Sequence, residues 1–262
     1  MLRTVRSLAL SLALLAVCSP ARAYECSAQT GGHRIALLEL YTSEGCNSCP
    51  PADHWLSTLE TNSALRDRVV PLALHVDYWD YIGWRDPYAI ALHTQRQRAT
   101  VTKSGGEIVY TPQFLLNGRD FRGWQRDRLI RELDNLARQP APAELMINAR
   151  GTNASSPVTV TLKGQLRERH AHAELFFVWY ENRLSSAVRA GENSGRTLSH
   201  ERVVRDWLSG PLKPAADGSW ILTRNAVVPP GWKRADLGLA AFVQDSATGE
   251  ILQALALPLC GV

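Results

Sequence analysis

Apolar residues along this chain recur with two periods, and the switches between them mark out short elements. Residues 34–42 form a nearly continuous apolar run, the signature of a strand buried on both faces. Pro50 and Pro51 then stand where a helix's first turn tolerates missing amide hydrogens, and Ala52, Trp55, Leu56 and Leu59 follow at helical spacing. Residues 69–76 predict a second buried strand. Asp86-Pro87 reads as a cap followed by a proline at the first helical position, opening a helix that runs to about Lys103 and stops at Gly105-Gly106. Residues 113–116, the Asn117-Gly118 pair and residues 119–123 spell a hairpin, and 125–137 carry Leu129, Ile130, Leu133 and Leu136 on one helical face. Beyond Gln139-Pro140-Ala141-Pro142-Ala143, which two prolines hold extended, the pattern changes. Short runs rich in Val, Leu, Phe and Trp appear at 145–149, 158–162, 173–180, 219–223, 237–244 and 251–257, separated by Gly, Asn, Ser and Pro clusters. Residues 197–208 fit a helix and a strand equally well.

The order strand, helix, strand, helix, hairpin, helix predicts an α/β architecture. The expectation is a thioredoxin-like domain over residues 24–138, a linker at 139–143, and a smaller, mainly antiparallel β domain over 144–262, either a sandwich or a small barrel. Residues 1–23 read as a secretory signal peptide, with Arg3 and Arg6 before an apolar core and Ala21-Arg22-Ala23 as the cleavage site. Leu15–Cys18 resembles a lipoprotein signal, but the bulk of Val17 favours soluble export. Nothing later reaches the roughly 18 apolar residues that a membrane helix needs, so no stable membrane span is expected. The formal charge of +4 includes Arg3, Arg6 and Arg22; 29 basic residues less these three leaves 26, against 25 acidic. Such a balance gives no reason to expect nucleic acid as a partner. The expected location is periplasmic or secreted, where disulfides persist.

Removal of the signal takes Cys18 with it and leaves Cys26, Cys46, Cys49 and Cys260. Cys26 and Cys260 lie near the two ends, and the preferred pairing is a structural disulfide between them; the competing role for either is that of a resolving thiol. Cys46-Asn47-Ser48-Cys49 ends a strand pattern and opens a helix, where the helix N-terminus favours a thiolate. Cys46 is therefore the candidate nucleophile, at a turn expected to face solvent, and Cys49 its partner. A permanent staple of the helix start is the bland alternative. With no second cysteine pair, and with His33, His54 and His75 on separate elements without ligand spacing, a four-ligand metal site is not expected. Thr111-Pro112 opens the hairpin strand, and a cis proline there would leave backbone beside Cys46 free to receive a substrate chain. Tyr78, Trp79, Tyr81 and Trp84 follow the second strand and form either a wall of a substrate groove or packing between the two halves. The loop Gly191–Arg196 is a candidate to reach over the same site.

Glu44–Asp53, Val76–Pro87, Thr94–Arg98, Tyr110–Gln113 and Gly191–Arg196 resemble the signatures of a secreted thioredoxin-like family catalogued as domain of unknown function 1223. The resemblance covers essentially the whole mature chain and implies the same fold, while the family's name assigns no activity. Two departures from thioredoxin itself stand out. Its buried acid would fall at Leu40, whereas the acid here is Glu39, on the opposite face of a strand, and Asn47-Ser48 stands where thioredoxin has Gly-Pro. Glu44 is a candidate local acid, with plain solvation as its alternative.

The expected function is an exported, thiol-disulfide oxidoreductase-like protein with Cys46, Cys49 and Pro112 as its reactive set, and Thr111, Trp79 and Trp84 contacting the substrate. Its partner would be a protein or small-molecule thiol or disulfide, with no cofactor. The alternative is a non-enzymatic binding protein of the same fold, with a soft ion such as copper(I) on the two thiolates.

Overall fold

The computed structural model describes residues 23–60, 62–152 and 156–260, so the expected signal peptide, apart from Ala23, lies outside the described residues. The first half contains β1 (Tyr24–Gln29), β2 (Ala36–Thr42), α1 (Pro50–Glu60), β3 (Val69–His75), α2 (Ala91–Lys103), β4 (Gln113–Leu116), β5 (Arg119–Asp120) and α3 (Arg126–Ala137). The second contains β6 (Ala143–Gly151), β7 (Val158–Leu166), β8 (Ala173–Glu181), β9 (Leu184–Ala187), β10 (Thr197–His200), β11 (Val203–Leu212), β12 (Ser219–Ala226), β13 (Leu237–Asp245) and β14 (Ile251–Pro258).

The expected class, an α/β thioredoxin-like domain followed by a smaller β domain, is corrected by this inventory and its pairing. Fourteen strands stand against three α-helices among the described residues. One mixed sheet of eight strands, in the order β14-β13-β8-β11-β3-β2-β4-β5, draws on both halves of the chain. The seam is the parallel pairing of β11 with β3, at Val203 and Ala73. Its cause is legible in β3, all seven of whose residues are buried. Such a strand cannot leave an edge to water, and β11 covers it. A second sheet, β1-β6-β7-β12, takes its first strand from the start of the described chain, and β9 with β10 forms a separate two-stranded arm.

Three apolar cores follow from this layering. Ala36, Leu38 and Leu40 of β2 face α1 and α3, meeting Leu56, Leu59, Leu129 and Leu133. Leu37 and Tyr41 point the opposite way, towards Val101 of α2 and Tyr180, Val204 and Phe242 from the second half. The third core lies between the four-stranded sheet and the second-half strands of the large one, around Ile147, Val160, Phe177 and Leu239. Glu39, alternating with Leu38 and Leu40, shares the α2 face and is paired there with Arg96 at 2.6 Å, whose guanidinium also donates to Gln244 of β13 at 3.0 Å.

Several local expectations meet the structure differently. Asn117 and Gly118 take φ of 49° and 81°, the left-handed pair that a two-residue hairpin needs. The ambiguous stretch 197–208 is strand, in β10 and β11. Asp86 does not cap a helix: α2 begins only at Ala91, after Ile90, and the Asp86 side chain turns inward. Among the described residues no helix is long and apolar enough to cross a membrane.

A disulfide joins Cys26 of β1 to Cys260, 234 residues away. Closing so long a loop removes chain entropy worth about 5 kcal/mol from the unfolded state. The double variant Cys26→Ser, Cys260→Ser is expected to lose most of that in urea denaturation, whereas a loss below about 1 kcal/mol would show that the bond contributes little.

Candidate functional site

The segment between β2 and α1 is held by its own backbone. The Cys46 amide donates to the Ser43 carbonyl at 3.1 Å, Cys49 to Cys46 at 3.2 Å, and Ala52 and Asp53 to Cys49 at 2.9 and 3.1 Å, which starts the helix. Cys46 and Cys49 are bonded to each other, and Ser48 Oγ lies 3.3 Å from Cys46 Sγ. Asn47 and Ser48 are exposed, but both cysteines are at 0% exposure. The expectation of a solvent-facing Cys46 is therefore corrected.

The loop 191–196 is bonded directly onto this turn. Asn193 Nδ2 donates to the carbonyls of Glu44 and Cys46, each at 2.9 Å, while its Oδ1 accepts from Arg196 at 2.9 Å, which fixes the amide's orientation. Glu192 accepts the Asn47 amide at 3.0 Å. Gly191, at φ 73°, lets the loop lie flat on Ile82; a Cβ there would meet Ile82 Cδ1 at 3.2 Å.

The other residues singled out in the sequence gather at the same end of the sheet. The Thr111–Pro112 bond is cis. Thr111 Oγ1 accepts from Trp79 Nε1 at 2.7 Å, and a Cβ built on Gly45 would meet Trp79 Cβ at 3.1 Å, so the proline loop reaches the cysteine loop through Trp79. Trp84 Nε1 donates to Glu44 Oε2 at 2.8 Å. Trp79 and Trp84 are half-buried, with both indole N–H groups used internally. Cys26 belongs elsewhere, to the core between the two sheets, with the exposed Cys260 bonded to it.

Beneath the cysteines lies a polar cluster that the sequence did not announce. Glu44 is fully buried: Oε1 meets His200 Nε2 at 3.0 Å, and its backbone amide donates to Asp86 Oδ2 at 2.8 Å. Asp86 Oδ2 also meets His75 Nδ1 at 2.7 Å. The rings of His75 and His200 lie edge to face, 4.8 Å apart. Asp53, one turn of α1 beyond Cys49, accepts from the Thr42 hydroxyl at 3.1 Å. Asp53 Oδ1, His75 Nε2 and His200 Nδ1 are buried and have no hydrogen-bond partner among the described residues. One ligand atom from each of these three residues lies within 4.8 Å of the others.

The electrostatics follow the burial. Burial opposes the charge on Asp86, but His75 and the amides of Glu44 and Tyr88 outweigh it and hold the carboxyl below its ordinary value. His93, whose ring bonds the His75 carbonyl at 3.0 Å, is driven down to about 3 by burial, with His75 and Arg96 acting in the same sense. Burial, reinforced by Asp86 and Glu44 and opposed by His200 and Thr42, pushes Asp53 up to about 7. His75 follows from the register, opposite Thr42 at the end of β3, and Asp53 from its spacing to Cys49. His200 had no such signal, because only the fold of the β9–β10 arm brings it here. A surface cavity of about 620 Å³ lined by residues 166–174, 213–218 and Ser246 contains none of these cluster residues.

Because the unfolded value of an aspartate is about 3.9, folded Asp53 keeps a proton that the unfolded chain has lost between there and about 7. Stability therefore falls as pH rises across that window. Asp53→Asn removes the titration. In chelator-treated buffer its unfolding free energy should gain on the wild type by on the order of 3 kcal/mol between pH 4 and pH 7, read by urea denaturation; parallel pH curves would rule this out.

Among solved structures, the chain is similar to protein AGR_C_4864 of Agrobacterium tumefaciens, at 26% sequence identity and a TM-score of 0.60, with 87% of this chain and 96% of that chain covered. It shares a fold with HBP35 of Porphyromonas gingivalis, at 19% identity and a TM-score of 0.66, covering 87% of this chain and 76% of that one. No curated protein matches. The family described as "Protein of unknown function (DUF1223)" matches residues 37–244, a span that takes in the cysteine pair, the cluster beneath it and the loop above it, and the chain belongs to that family.

Proposed function

We propose that the chain is an exported thiol–disulfide redox protein, with Cys46 and Cys49 as its two-electron couple and a protein or small-molecule thiol or disulfide as its partner. The observation that carries this reading is a bonded cysteine pair at the junction of β2 and α1, on either side of the exposed Asn47 and Ser48, with the Ser48 hydroxyl 3.3 Å from Cys46 Sγ. The N-terminal end of the α1 dipole lies at the same point, which favours negative charge on sulfur. A second disulfide, Cys26–Cys260, suits an oxidising compartment, as does the signal segment read from the sequence.

In the reducing direction, the Cys46 thiolate attacks one sulfur of the partner's disulfide, and the partner's other sulfur leaves as a thiolate that takes up a proton. The Cys49 thiolate then attacks Cys46 Sγ, closing the internal bond and releasing the partner's second sulfur. Two electrons pass to the partner. The reverse sequence oxidises a dithiol.

Access requires the 191–196 loop to lift. Three hydrogen bonds, two from Asn193 and one to Glu192, hold it against the cysteine loop. At about 1 kcal/mol each they put the open form on the order of 3 kcal/mol above the closed one, a population below about 1%. Lid openings of this kind occur on microsecond-to-second timescales, so the closed loop gates the exchange.

The burial of both sulfurs favours one other reading, a permanent staple of the helix start. Two variants separate them. In Cys49→Ala, Cys46 is expected to be caught as a mixed disulfide by a small disulfide reagent under native conditions, read by intact-protein mass spectrometry. In the otherwise intact protein, Asn193→Ala should speed reduction of the Cys46–Cys49 bond by about 10- to 100-fold. A Cys46 that reacts only after denaturation, with a rate indifferent to Asn193, would establish the staple.

A further inference from the structure

We propose that Asp53, His75 and His200 bind a divalent transition metal ion, with zinc as the best match, in the interior beneath the Cys46–Cys49 pair. Each of the three residues is buried, and each has one polar atom left without a partner: Oδ1 of Asp53, Nε2 of His75 and Nδ1 of His200. Buried polar atoms are normally satisfied, so three orphans in one cluster call for a common partner.

The tautomers are already set for metal binding. A carboxylate only accepts hydrogen bonds, so the proton of a neutral His75 ring sits on Nδ1, facing Asp86, and its lone pair on Nε2. Glu44 does the same to His200 from the other side, placing the proton on Nε2 and the lone pair on Nδ1. Carboxylates that orient and enrich histidine ligands in this way recur around protein-bound zinc. Here two such pairs lie side by side, with the Asp53 carboxylate as the third donor.

Size and charge agree. The three ligand atoms lie within 4.8 Å of one another; the centre of an equilateral triangle of that side is about 2.8 Å from each corner, so bonds of about 2.1 Å need shifts of less than about 1 Å per side chain. Glu44, Asp53 and Asp86 place three carboxylates in one buried region, where their partners are two imidazoles, an indole, a hydroxyl and backbone amides. Carboxyl groups packed that densely in the interior are costly to ionise together without a cation. Two imidazoles and one carboxylate are nitrogen and oxygen donors of the borderline kind that zinc accepts, unlike a bare thiolate pair, which would select copper(I). A surface cavity of about 270 Å³ between α1 and β10, lined by Pro50, Asp53, His54, Ser57 and residues 196–201, gives an ion a route to Asp53 and His200.

The test uses the mature chain, stripped with chelator and confirmed folded by circular dichroism. Titration with Zn2+ in a calorimeter should give one equivalent with micromolar or tighter affinity, and Co2+ should give the visible bands of a low-symmetry nitrogen and oxygen site. Asp53→Asn and His200→Gln, each checked for native circular dichroism, should abolish stoichiometric binding. Glu44→Gln, which keeps the shape but loses the charge, should weaken it by about 10- to 100-fold. Cys46→Ser with Cys49→Ser should leave it intact. No stoichiometric zinc in the folded wild type, binding that survives in both ligand variants, or binding that disappears with the cysteines would each overturn the proposal.

Discussion

A carboxylate taken out of water must be met by donors, and in this protein that demand falls on Glu44. Its side chain is fully buried, and three separate stretches converge to satisfy it and its backbone: Trp84 after β3, His200 from the β9–β10 arm, and Asn193 from the capping loop. The Glu44 amide in turn supports Asp86, which orients His75. Removing one member of such a network leaves a buried charge or lone pair uncompensated, at a typical cost of 3–5 kcal/mol for an ion pair, about what a cavity in the core would cost. The loop carrying Cys46 is therefore held by polar constraint, and Asn193 ties the two together by bonding the carbonyls of both Glu44 and Cys46.

The same logic operates on the opposite face of β2. Glu39 and Arg96 form a buried pair, and the guanidinium stacks over Phe176 and Phe242 at 5.1 and 4.6 Å while bonding Gln244. One central strand thus sends a carboxylate to α2 and the second half of the chain, and the loop after it sends another to the β9–β10 arm. With the β3–β11 seam and the Cys26–Cys260 bond, these ties make the second half a structural partner of the cysteine site. It supplies the lid and the one histidine that completes the cluster.

What could be read from the sequence was local. Continuous apolar runs located β2 and β3, the Asn117-Gly118 pair located the hairpin, and helical spacing located α1 and α3, because each of these is determined by neighbours in the chain. The class was misjudged because the β3–β11 pairing is a contact between residues 130 positions apart, Ala73 and Val203, which no local period encodes. Tyr24, Cys26 and Ala28 of β1 alternate with polar residues, a short period-two pattern without a nearby partner to mark it. Asp86 matched a helix cap in sequence, yet the pull of His75 and the Glu44 amide draws it into the interior instead. The cysteines were legible from spacing alone; that Asp53, His75 and His200 meet was not, since they come from a helix, a strand end and a remote arm.

The central claim is that Cys46 and Cys49 exchange electrons while the fold stays intact. Its most direct measurement is the midpoint potential of the pair in thiol redox buffers, with each cysteine's state read by alkylation and mass spectrometry. The account predicts a reversible two-electron transition between about −300 and −120 mV, with Cys26–Cys260 still bonded and the circular dichroism unchanged. A pair that stays oxidised until the protein unfolds would contradict it.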